Sequence, residues 1–105
     1  MFPGSVTDMF SMTVEDVFVI RRRGVVATGK VENGVLHIGD EVQINGGLIA
    51  LVDGIEMFRK KVDEATVGDN VGLLFTSLDK SQLDRGAVLT SAGSPPPTQG
   101  LTVNM

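Results

Sequence analysis

The sequence predicts an all-β domain, a small closed antiparallel barrel, on three observations. Short runs rich in β-branched and other apolar residues recur at 17–20, 25–28, 35–38, 41–44, 48–52 and 71–75. Glycine is dense, thirteen in 105 residues, and falls largely between those runs, which is the punctuation of hairpins and corners rather than of packed helices. Only residues 79–83 read as helical, a stretch too short to pack as a helix, with Asp79 placed to cap it.

Taken in order, the first strand begins near Phe10 and runs toward Ile20, and Gly24 separates it from the second, which includes Val25-Val26-Ala27-Thr28. Asn33-Gly34 is a turn signal, because both residues tolerate positive φ, and Asn45-Gly46-Gly47 reads as a second hairpin loop. The barrel is expected over residues 8–93, with 1–7 a flexible N-terminus and 94–105 a Pro-rich C-terminal tail. Pro95-Pro96-Pro97 donate no backbone hydrogen bonds and favour an extended, non-sheet conformation.

Composition removes several classes of function. There is no cysteine, so disulfides and thiolate chemistry are absent, in keeping with a reducing cytoplasm. The longest apolar run, 48–52, is far short of the roughly 20 residues a membrane helix requires. No base precedes Arg21, so the charged start of a secretory signal is missing, and a cytoplasmic location is expected. A formal net charge of −4 argues against bulk attraction to nucleic acid. Six of the nine bases nevertheless fall in two clusters, Arg21-Arg22-Arg23 and Arg59-Lys60-Lys61. They are read either as solvated loop ends that protect sheet edges or as one local phosphate site.

The residues for catalysis are missing. A P-loop requires a glycine-rich loop ending in Gly-Lys-Ser/Thr, and Gly29-Lys30-Val31 lacks both the hydroxyl and the spacing. Asp69-Asn70-Val71-Gly72 fits a loose D-x-x-G pattern and reads more simply as a turn. His37, the single histidine, alternates with Leu36 and Ile38 and is expected to face solvent. With no second histidine, no metal site is expected. The carboxylate pairs Glu15-Asp16, Asp40-Glu41 and Asp63-Glu64 point to opposite faces of a strand and read as turn and edge charges. No enzyme activity and no cofactor are expected.

Beyond these patterns, several segments occur in a telling order. Phe10-Ser11-Met12-Thr13-Val14-Glu15-Asp16-Val17-Phe18 is followed by Arg23-Gly24-Val25-Val26-Ala27-Thr28-Gly29-Lys30 and Gly39-Asp40-Glu41-Val42. Then come Gly54-Ile55-Glu56-Met57-Phe58-Arg59-Lys60, Gly68-Asp69-Asn70-Val71-Gly72-Leu73-Leu74 and Arg85-Gly86-Ala87-Val88-Leu89. Together they resemble the second, β-barrel domain of elongation factor Tu, and Gly-Ile-Glu-Met-Phe-Arg-Lys is characteristic of the bacterial branch. The resemblance implies a closed barrel of about six strands that is not itself catalytic. It also implies a pocket for the aminoacylated 3′ end of tRNA. On that basis Glu56 matches the glutamate beside the terminal adenosine, Arg59 the arginine near the terminal phosphate, and Asn70 the asparagine at the same end. Ile20, Val26 and Leu74 match apolar pocket walls, with ordinary barrel core as their alternative reading. Arg59 has the alternative of a surface pair with Glu56 or Asp63, and Asn70 that of a turn former.

Two departures bear on that pocket. The family has Thr-Gly-Arg where Arg21-Arg22-Arg23 stand, so Arg22 either covers the adenine slot or adds a phosphate contact. The segment 43–53 is shorter and more apolar than the family's polar loop, and its outward residues form a candidate contact surface. The expected partners are thus the aminoacyl-tRNA 3′ end, bound weakly, or a protein partner or second copy of the chain, with neither membrane nor DNA. The start at Met1-Phe2-Pro3 and the end at Asn104-Met105 favour a natural short protein over an excised domain.

Overall fold

Strand after strand, one side chain in two is buried and the next is not. In the computed structural model, which describes residues 9–92, β1 spans Ser11–Ile20, β2 Gly24–Asn33, β3 Val35–His37, β4 Glu41–Ile44 and β5 Leu48–Leu51. β6 spans Gly54–Met57, β7 Lys60–Val62, β8 Glu64–Thr66, β9 Asn70–Phe75 and β10 Val88–Ser91. The expectations for residues 1–7 and 94–105 lie outside the described residues. Among the described residues no helix is long and apolar enough to cross a membrane.

All ladders are antiparallel, and eight strands form one sheet in the order β5-β4-β10-β1-β2-β9-β6-β7, while β3 and β8 pair as a separate ribbon. The all-β antiparallel architecture is as expected, but the strand count exceeds the expected six, and the ladders leave β5 and β7 as the ends of the sheet. Backbone bonds tie the ribbon to both regions: Ile38 N–H donates to Asp63 O at 3.1 Å, Gly39 N–H to Val52 O at 2.9 Å and Val31 N–H to Asp69 O at 2.9 Å.

The core is filled by the inward side of these strands. Met12, Val42, Leu73, Phe75 and Leu89 are wholly buried, and no polar or charged side chain is buried among the described residues. Each large apolar side chain so placed contributes about 1.5–3 kcal/mol relative to exposure.

Two irregularities in the β1–β2 ladder set the outer face. Val14 pairs with Gly29 but Asp16 with Thr28, so Glu15 is an extra residue, a bulge; nearer the start of β1, Glu32 is extra on β2. A one-residue shift reverses the face on which every later side chain points. Met12 and Val14 therefore point inward, while Phe18 and Ile20, in phase with them in the sequence, are 50% and 36% exposed.

The turns follow the glycine signals in part. Asn45-Gly46-Gly47 makes the β4–β5 hairpin, closing Ile44 against Leu48. Asn33-Gly34 turns the chain without forming a hairpin, because β2 pairs with β1 and β9 while β3 pairs with β8. The expected helical stretch is a single 3-10 turn, Lys80–Gln82. There the Asp79 N–H donates to Gln82 Oε1 at 2.8 Å. His37 is exposed as expected, its Nε2 3.0 Å from Glu64 Oε1.

Candidate functional site

Register across four neighbouring strands builds the candidate site. β1, β2, β9 and β6 are consecutive in the sheet. Their cross-strand partners align Phe18, Val26, Leu74 and Gly54 in one row and Asp16, Thr28, Gly72 and Glu56 in the next. Val26 alternates with buried Val25 and Ala27, and Leu74 with buried Leu73 and Phe75. Both rows therefore lie outside. The reading of Ile20, Val26 and Leu74 as barrel core does not hold: the sequence periodicity is right, but these residues occupy its solvent phase.

Gly72 leaves a gap in the second row. A Cβ added there would stand 3.1 Å from Val26 Cγ1 and 3.9 Å from Thr28 Cγ2. Around this gap lies a cleft of about 430 Å³ that brings together Glu56, Arg59, Asn70, Ile20 and Val26. Among the other lining residues, which the sequence did not single out for this role, are Glu15, Phe18 and Phe58. Glu15 had read as an edge charge, and the bulge is what turns it to the cleft. Phe58 stands in the sequence beside Arg59, but nothing there tells that its ring is 86% exposed.

The β6–β7 turn fixes the far wall. Met57 pairs with Lys60, and the two residues between them, Phe58 and Arg59, have φ of 55° and 67°. Arg59 makes no ion pair with Glu56 or Asp63 among the described residues. It lines the same cleft as Glu56, Glu15 and the apolar residues Phe18, Ile20 and Val26. Asn70 opens β9 opposite Lys30 rather than serving only the turn before it.

Arg22 and Leu74 fall elsewhere on the same face. Arg22 lines a second cleft of about 600 Å³ together with Arg23 and Lys80, and Leu74 contributes to its floor. A third, smaller hollow of about 220 Å³ has Leu74, Glu56, Arg23 and Lys61 on its walls. Ile20 borders all three. Arg22 is therefore not among the residues lining the cleft of Glu56, Arg59 and Asn70.

This arrangement suits a flat, partly polar ligand. Aromatic and aliphatic side chains offer a stacking surface, worth about 1–3 kcal/mol per nucleic-acid base. Carboxylates accept hydrogen bonds from hydroxyl or amino groups, and a guanidinium pairs with phosphate.

The family model of elongation factor Tu domain 2 matches residues 24–90. The chain belongs to that family. The match takes in β2 through most of β10 and leaves β1, which carries Phe18 and Ile20, outside it. Among solved structures, translation elongation factor SelB from Methanococcus maripaludis is similar in its apo form and in complex with the GTP analogue GppNHp. Each of these shows 33% identity and a TM-score of 0.74 over 82% of this chain. The chain spans 19% of the length of either SelB structure. The fold is thus that of a translation-factor barrel, the elongation factor Tu domain 2 type.

Proposed function

We propose that the cleft between β1, β2, β9 and the β6–β7 turn binds the terminal nucleoside of an aminoacylated tRNA 3′ end, in a non-catalytic role. The observation that supports this is the convergence of Glu56, Arg59 and Asn70 with the outward apolar residues Phe18, Ile20 and Val26 in one open cleft. Stacking falls to the rings and aliphatic walls, Glu56 accepts from the sugar or base, and Arg59 takes the phosphate or ester oxygen. Asn70 offers both donor and acceptor at the same end. The binding is weak, because the cleft is open and its charges are screened by salt. The setting is the cytoplasm.

Titration of fluorescently labelled aminoacyl-tRNA tests the reading, with Arg59→Ala and Glu56→Gln beside the parent chain. Weak binding that drops about tenfold in Arg59→Ala is expected for a lost charge-assisted contact. Equal or unmeasurable binding by parent and variants would sink it.

A second reading rests on a different observation. β5 ends the sheet, and Leu48, Ile49 and Leu51 on it are 44%, 51% and 43% exposed. An apolar end strand of this kind pairs readily with another strand, here one from a second copy of the chain. Sedimentation should show a dimer that Ile49→Lys dissolves; a monomer at all concentrations removes this reading.

A further inference from the structure

The β1–β2 hairpin closes Ile20 against Gly24 through Arg21, Arg22 and Arg23, with the Arg23 N–H donating to Ile20 O at 2.9 Å. Arg22 holds a φ of 64°. Glycine adopts that conformation freely, and a long branched cation gains nothing from it. The backbone of this turn thus gives no reason for an arginine, and the reason lies in what its side chain reaches.

Gly24 fixes where the tip of this hairpin lies. With φ at 132°, it lies so close to the end of β9 that a Cβ would stand 2.2 Å from Phe75 O. The hairpin tip is thereby held beside the segment that follows β9, where the 3-10 turn carries Lys80. Between them lies the second cleft. Arg22, Arg23 and Lys80 line it together with the apolar residues Val19 and Leu78, and Asp79 is the one carboxylate among its lining residues. None of the three cations forms an ion pair among the described residues. Three cations against one carboxylate make this lining locally positive on a chain whose overall charge is −4, which favours an anion there.

We propose that this second cleft is a phosphate site, which holds the phosphodiester groups of the strand whose terminal nucleoside occupies the first cleft. The proposal rests on the function proposed above. Ile20 borders both clefts, so they adjoin, and a strand in the first has the second as its neighbour. The first cleft offers one guanidinium and two carboxylates, a poor place for several phosphates, whereas the second offers three cations. The resulting footprint is longer than one nucleotide, and its basic half is set by Arg22.

Nitrogen-15 NMR on the whole chain, with three probes, separates this site from the first. Inorganic pyrophosphate should shift the amides of residues 22–24 and 76–80, leave Asn70 unmoved, and lose its effect in Arg22→Gly and Lys80→Gln. Arg22→Gly relieves the backbone at that position, so unfolding does not account for its loss. Triadenylate should bind about fivefold more tightly than adenosine monophosphate, as expected for added phosphate contacts on a single strand. Lys80→Gln should erase that gain and leave the monophosphate affinity unchanged. Absence of pyrophosphate shifts, or shifts that persist in both variants, overturns the site. Equal affinities for the two adenylates overturn its assignment to a strand and leave a free-phosphate site. Adenosine monophosphate that moves neither Glu56 nor Asn70 counts against the first cleft alone, and the pyrophosphate result still decides the second.

Discussion

The β4–β5 hairpin turns through Asn45 and Gly46 at φ of 51° and 73°, and the β6–β7 hairpin turns through Phe58 and Arg59 at 55° and 67°. These φ values nearly coincide, although the first loop has a third residue, Gly47; the side chains do not. Asn45 and Gly46 suit left-handed φ, and Asn45 Oδ1 also accepts a bond from the Val88 N–H at 2.9 Å. Phe58 and Arg59 carry bulky side chains into the same region at a cost of about 1–2 kcal/mol per residue. The turn built from unfavourable residues is the one that borders the candidate nucleoside cleft, and Arg22 repeats the pattern beside the second cleft. Strain of this kind marks positions kept for their side chains rather than for the fold.

If that distinction is correct, added bulk should hurt most where a positive φ coincides with crowding. Gly24→Ala, with its Cβ against Phe75 O, should lose about 3 kcal/mol or more in urea unfolding. A loss below 1 kcal/mol would mean that the hairpin tip is not held against β9. Asn45→Ala gives up both the Val88 bond and the tolerance for left-handed φ, and should cost about 2 kcal/mol. Gly46→Ala isolates conformation from contact, since no atom lies within 4 Å of the new Cβ, and about 1 kcal/mol is expected. The smallest change should also reverse the sign. Giving the β6–β7 hairpin the β4–β5 residues, as Phe58→Asn with Arg59→Gly, should stabilise the chain by about 0.5–1 kcal/mol while abolishing tRNA-end binding. A destabilised double variant would show that the two turns are held by different forces, and the comparison would fail.

The same contrast explains what the sequence disclosed. Glu41–Ile44 was legible as a strand to the residue, because alternation and a flanking Asn-Gly turn agreed there. β7 and β8, three residues each, were not found, since Lys60-Lys61-Val62 and Glu64-Ala65-Thr66 are too short and too charged for a period to emerge. The β6–β7 turn had no glycine or asparagine to announce it. Of the candidate site, Glu56, Arg59 and Asn70 were chosen through the family resemblance, and the structure brings them together with Ile20 and Val26. Arg22 and Leu74 were chosen with them and line neighbouring hollows instead. Phe18 and Glu15 escape a sequence reading because exposure follows from register, and register in β1 depends on one supernumerary residue, whereas Phe58 is exposed by the β6–β7 turn.

That residue, Glu15, makes β1 unequally tolerant of two kinds of mutation. Many substitutions at an exposed bulge are absorbed, since nothing in the core depends on that side chain. Removal of Glu15 would only close the bulge, with Val14 still opposite Gly29 and Asp16 opposite Thr28, but loss of a paired residue such as Val17 is different: Phe18 would then fall opposite buried Ala27 and Ile20 opposite buried Val25, and both would turn to the interior. The length of β1 beyond the bulge is therefore less free to vary than its composition, and a one-residue deletion among its paired residues would be expected to remove the nucleoside cleft in a single step.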